Sequence, residues 1–122
     1  MFLLLGSLGK TMNDVINIFK NIPDHIPEEL FQEILQTENF KVERIVSKGH
    51  SSPDNEWYDQ EENEWVILLK GSAELLFEEH QKVVVLGPGD YINIPSHTKH
   101  RVEWTDPDTE TVWLAVYYKG VK

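Results

Sequence analysis

Pro88-Gly89-Asp90-Tyr91-Ile92-Asn93-Ile94-Pro95, followed by His100-Arg101-Val102, is the stretch on which the reading of this chain turns. Pro-Gly-Asp makes a turn, Tyr91 to Ile94 is a short run suited to a strand, and Pro95 ends it because proline cannot donate to a sheet ladder. His100 opens the next run, which continues to Thr105. The same punctuation recurs to either side. Phe40 to Val46, Glu64 to Lys70, Ala73 to Glu78, Lys82 to Leu86 and Thr111 to Lys119 read as further strands. Gly71-Ser72, Glu79-His80-Gln81, Gly87 to Asp90 and Asp106-Pro107-Asp108 are the turns between them. Short strands at such regular spacing predict an antiparallel sandwich or barrel rather than alternating β-α units.

Ahead of Asn39 the pattern changes. Val15, Ile16, Ile18 and Phe19 fall near helical spacing, Pro23 and Pro27 interrupt, and Leu30, Phe31, Ile34 and Leu35 form a second apolar stripe. Pro27 suits a first helical turn, with Glu28 and Glu29 against the positive end of the dipole. These features predict an N-terminal extension with helical segments over residues 1–38, packed on the barrel or on a second subunit, and a β domain over 39–122. The apolar stretch Phe2 to Leu5 is too short for a membrane span and lacks a basic leader, so Met1 to Thr11 is read as an upstream start or vector remnant rather than a targeting signal.

Composition narrows the function classes. The chain has 122 residues with 21 acidic against 11 basic side chains, a net charge of -10. An excess of carboxylates with no basic patch disfavours nucleic acid and anionic membranes as partners. With 0 cysteines there is no disulfide framework, thiolate nucleophile or Cys-rich zinc site, which leaves His, Asp, Glu, Gln and Tyr to carry chemistry in a protein expected to be cytoplasmic. No Ser-His-Asp order, phosphate-binding loop or dinucleotide fingerprint is present, so hydrolases of that type, kinases and Rossmann dehydrogenases fall away.

One residue stands out within the strands. Alternation puts Glu64, Val66 and Leu68 on one face of their strand and Trp65, Ile67 and Leu69 on the other, so both faces are apolar except at Glu64. A buried carboxylate costs several kcal/mol of desolvation unless it is paired, protonated or metal-bound. On the strand from His100, the same alternation groups His100, Val102 and Trp104. Two packed sheets that bring these strand starts together would set Glu64 against the His100 imidazole.

The spacing from Glu64 to Gly71, together with Pro88 to Pro95 and His100, resembles the two-part signature of the cupin family. The likeness spans about Gly49 to Trp104, and Trp57-Tyr58-Asp59-Gln60 and His97 to Thr105 look like a small single-domain subgroup. This resemblance implies an all-β fold, the double-stranded β-helix or cupin jelly-roll barrel, with a short N-terminal helical extension and a habit of forming homodimers. It implies a divalent transition metal (Fe, Mn, Ni or Zn) in the barrel, with Glu64 and His100 as ligands. The positions of two further family histidines hold Tyr58 and Gln60 in one register, or Trp57 and Asp59 in the other. Gln60 or Asp59 would then complete the metal set, and strict alternation allows only one of the two to face inward. Tyr58, His97, Trp104 and His50 are the candidates for the ligand pocket.

Two functions are consistent with these residues. In one, a divalent ion on Glu64 and His100 serves an oxygenase- or isomerase-like enzyme acting on a small organic molecule. In the other, Glu64, Gln60, Tyr58 and His100 form a metal-free hydrogen-bonded network in a non-catalytic cupin that binds or senses a small ligand.

Overall fold

The computed structural model describes residues 2–5 and 14–120. Among the described residues nine strands follow in order: β1 (Phe2–Leu5), β2 (Glu29–Gln36), β3 (Phe40–Ser47), β4 (Asn63–Lys70), β5 (Ala73–Phe77), β6 (Lys82–Leu86), β7 (Tyr91–Ile94), β8 (His100–Thr105) and β9 (Thr111–Tyr118). A single 3-10 turn at Glu79–Gln81 joins β5 to β6. Six strands form one sheet in the order β1-β2-β3-β9-β4-β7, and β6-β5-β8 form the other. Every pairing is antiparallel except β1 with β2. The result is a jelly-roll sandwich of two hydrogen-bonded sheets, not a closed barrel.

The core lies between the sheets. Ile45, Val66, Leu68, Leu75, Ile94 and Trp113 are buried there in one cluster, each fully buried aliphatic side chain contributing about 1.5–3 kcal/mol by leaving water. Gly71 turns the chain from β4 into β5 with φ of +91°, and an added Cβ would lie 2.7 Å from the Thr111 Cα. Glycine is needed here twice over, for the left-handed backbone and for the close approach of β9.

The N-terminal region departs from the helical expectation. Residues 14–28 are irregular, and Glu29–Gln36, where a helix was expected, is strand β2, antiparallel to β3 within the large sheet. The cause is a bulge. Glu33 pairs with Glu43 and Leu35 with Val42, leaving Ile34 as an extra residue, which shifts the apolar positions from alternation to a spacing that imitates a helix. The second stripe is accordingly divided, with Leu30 buried, Phe31 lining a cavity and Ile34 and Leu35 exposed, while Val15 and Phe19 of the first are exposed as well. Asn13 and most of Met1 to Thr11 lie outside the described residues.

The irregular segment is held down by Arg44. This fully buried side chain donates from Nε to Gln32 Oε1 at 2.7 Å, from Nη1 to the Ile18 and Lys20 carbonyls, and from Nη2 to the Asn21 carbonyl. A guanidinium can be buried because its donors are met in this way.

Candidate functional site

A cavity of about 610 Å³ opens between the sheets. Its apolar wall includes Phe31, Ile45, Val66, Leu75, Ile94 and Trp113, each brought inward by the alternation of its strand. Glu64, the second residue of β4, and His100, the first of β8, enter the same cavity from opposite sheets. The sequence expectation that these two residues meet corresponds to a His100 Nε2 to Glu64 Oε1 distance of 3.4 Å. Both are buried, at 4% and 8% exposure.

The loop before β4 completes the arrangement. Tyr58 pairs with His100 through two backbone hydrogen bonds, its N–H donating to the His100 carbonyl at 2.8 Å and its carbonyl accepting from the His100 N–H at 3.2 Å. This short ladder fixes the inward register: Tyr58 and Gln60 line the cavity. Gln60 Nε2 donates to Glu64 Oε1 at 2.9 Å. Tyr58 and Phe77 bracket the imidazole with ring centroids at 5.7 and 5.9 Å.

The His100 tautomer follows from its partners. Nδ1 lies 2.8 Å from the Thr98 carbonyl, which can only accept, so Nδ1 carries a hydrogen and Nε2 turns to Glu64. Burial alone would pull the imidazole's pKa down, but the hydrogen bonds to Glu64 and to the Thr98 carbonyl, with the Glu64 charge, outweigh it and the net movement is upward. His100 Nε2 therefore faces Glu64 Oε1 across 3.4 Å at the cavity wall.

The other candidates lie elsewhere. Asp59 Oδ1 meets His97 Nδ1 at 2.8 Å in an exposed hydrogen bond, and neither residue lines the cavity. Trp57 faces away as well, stacked under the Arg101 guanidinium at 4.6 Å. Trp104 is 41% exposed because Leu75 pairs with Val102 and Glu74 with Trp104. Glu103 is thus a bulge that turns Trp104 to the outer face, while His100 and Val102 keep the inner one. His50 spends both ring nitrogens on the backbone, accepting at Nδ1 from the Lys48 N–H and donating from Nε2 to the Ile26 carbonyl. It lines a side pocket with Glu29 and Tyr58, not the main cavity.

Three cavity residues escaped the sequence reading. Glu29 enters from β2, where a helix was expected, and its burial pushes its carboxyl pKa up despite the Ser47 hydrogen bond. Glu43 is also raised, chiefly by burial, with Lys41 at 3.4 Å offsetting part of it. Tyr117, on the inward face of β9 with Trp113, is a half-buried phenol whose pKa is held well above its ordinary range by desolvation and by Glu64 and Glu43. Strict alternation along β3 and β9 would have revealed Glu43 and Tyr117; the bulge concealed Glu29.

The donor set fits a transition metal poorly. Glu64 Oε1 is already shared between Gln60 and His100, leaving one imidazole and one carboxylate where a tetrahedral centre needs at least three protein ligands. Among the described residues, no group of three or more His, Cys, Asp or Glu is arranged to hold an ion.

A cupin domain matches residues 42–117, and the chain belongs to the cupin family. A crystal structure of a proposed mannose-6-phosphate isomerase from Ralstonia eutropha JMP134 is 41% identical, with a TM-score of 0.84, over 88% of this chain and 99% of that one. A cupin 2 conserved barrel domain protein from Salinispora arenicola CNS-205 shares the fold at 20% identity and a TM-score of 0.65, over 91% of this chain and 92% of that one. The L-ectoine synthase of Rhodococcus opacus (strain B4) is 36% identical over 63 residues, 52% of this chain and 46% of the synthase. The match thus spans about half the length of that relative. No helix among the described residues is long and apolar enough to cross a membrane.

Proposed function

We propose that this cupin binds a small organic molecule in its central cavity without a metal, and that the Glu64–His100 pair serves as a proton donor and acceptor toward it. The observation that carries this reading is the 3.4 Å approach of His100 Nε2 to Glu64 Oε1 at the cavity wall, with the opposite ring nitrogen anchored on Thr98. Such a pair can lend a proton to one ligand atom and recover one from another, as an isomerisation or cyclisation requires. Similarity to a proposed isomerase and to a synthase supports small-molecule chemistry. A phosphorylated sugar is not carried over, because five glutamates and only two lysines line the cavity.

The competing reading places Fe, Mn, Ni or Zn on Glu64, His100 and Gln60. Thermal shift against a library of small organic molecules in the presence of a strong chelator separates the two. Stabilisation that persists under chelation and weakens in His100→Gln is the expected result. Stabilisation that appears only after a divalent ion is added would overturn the metal-free reading. We extend the proposal to a homodimer, supported by the family resemblance and by Val83, Val85 and Trp104, which stand exposed on the small sheet.

A further inference from the structure

The charged groups around the cavity are unequal in how well they are matched. Glu64 is engaged by Gln60 and His100, and Glu43 by Lys41. Glu29 is different. Its Oε2 is 2.5 Å from Ser47 Oγ, and Ser47 Oγ in turn accepts from Trp113 Nε1 at 3.2 Å. Indole can only donate, so the serine hydroxyl must donate onward to Glu29. This chain is buried, with Ser47 at 0% and Trp113 at 3% exposure. It fixes the carboxyl in orientation, and among the described residues no Lys or Arg forms an ion pair with it. The nearby His50 is committed to two backbone groups, and Glu64 and Tyr58 add only negative or neutral character.

A second, separate observation lies across the cavity. The hydroxyl of Tyr117 has no hydrogen-bond partner among the described residues, and its half-buried ring lines the cavity. The face of the same ring already accepts an ammonium: Lys41 Nζ lies 5.1 Å from its centroid and 3.4 Å from Glu43. A carboxylate combined with an aromatic face is the arrangement that recognises organic cations.

We infer that the ligand of this cavity is a small organic cation bearing a primary or methylated ammonium, and that Glu29, oriented by Ser47 and Trp113, is the residue that receives its charge. The inference rests on the reading of the cavity as a small-molecule site. It adds a class of ligand and a specificity-determining carboxylate that neither the family match nor the similar proteins assign. An ammonium at Glu29 would pair with the carboxylate directly, a contact that no described Lys or Arg makes, and its apolar body would lie against Trp113 and Phe31. The Tyr117 hydroxyl would be left for a polar group on the ligand. A ligand carrying phosphate or several carboxylates would be repelled.

The test uses full-length protein and two probes of nearly equal shape, benzylamine, charged at neutral pH, and benzyl alcohol, which is not. Calorimetric titration of the wild type should show the ammonium binding at least about tenfold more tightly, the scale of one well-placed charge-assisted contact. Glu29→Gln should remove that preference while leaving benzyl alcohol binding intact, whereas Glu62→Gln, at the mouth, should retain it. Equal binding of the two probes to the wild type would overturn the cation assignment while leaving the cavity reading in place. A preference that survives Glu29→Gln would overturn the role of Glu29. Binding of neither probe, nor of choline, would count against the cation class and the cavity reading together. The wild-type comparison stands even if the Glu29 variant does not fold.

Discussion

Glu29 and His100 both carry raised pKa values, and the consequences for stability run the same way. A carboxyl raised in the folded state stabilises the fold fully below its unfolded value of 4.5 and loses that contribution as pH rises through the folded value. His100 contributes fully below its unfolded value of 6.5 and likewise loses its contribution as pH rises through its higher folded value. Stability should therefore decline from mildly acid toward alkaline pH. Urea denaturation at a series of pH values should show Glu29→Gln flattening the lower part of this decline and raising stability at neutral pH. A steeper decline in the variant would contradict the placement of Glu29. Gly71 offers a purely conformational test. Gly71→Ala puts a Cβ against the β9 backbone at a left-handed φ and should cost about 1–3 kcal/mol or more, read from the denaturation midpoint.

At the scale of elements, the strands from Phe40 onward were legible because turn residues and alternation agree, and their observed limits differ from the expected ones by one residue or none. Two of the failures share one physical cause. A bulge at Ile34 made β2 look helical, and a bulge at Glu103 turned Trp104 out of the cavity. An extra residue breaks the period of two without leaving a sign in composition. The meeting of Glu64 with His100 was legible from alternation along their strands. The inward choice of Tyr58 and Gln60 over Asp59 required the Tyr58–His100 bridge, a pairing between distant segments. Arg44 is the corresponding long-range device for the N-terminal segment. Arg44→Ala strands Gln32 and three backbone carbonyls, and should destabilise by about 2 kcal/mol or more. Limited proteolysis should then cut within residues 14–28 faster than in the wild type; unchanged cleavage would show that the segment is held by something else.

For the whole molecule, the two sheets enclose an acidic, aromatic-walled cavity with the Glu64–His100 pair at its wall, and the outer face of the small sheet exposes Val83 and Val85. Light scattering on the eluting protein is expected to give about twice the chain mass of 14.2 kDa, and a monomer at micromolar concentration would contradict the proposed homodimer. The most direct test of the central claim is the NMR titration of the His100 ring nitrogens in chelator-treated protein, repeated with one equivalent of Zn(II), Ni(II), Mn(II) or Fe(II). The account expects hydrogen on Nδ1 in the neutral form, a midpoint above that of a free imidazole, a lower midpoint in Glu64→Gln, and no change when an ion is added. Stoichiometric loss or displacement of the Nε2 signal on adding an ion would contradict the metal-free pair.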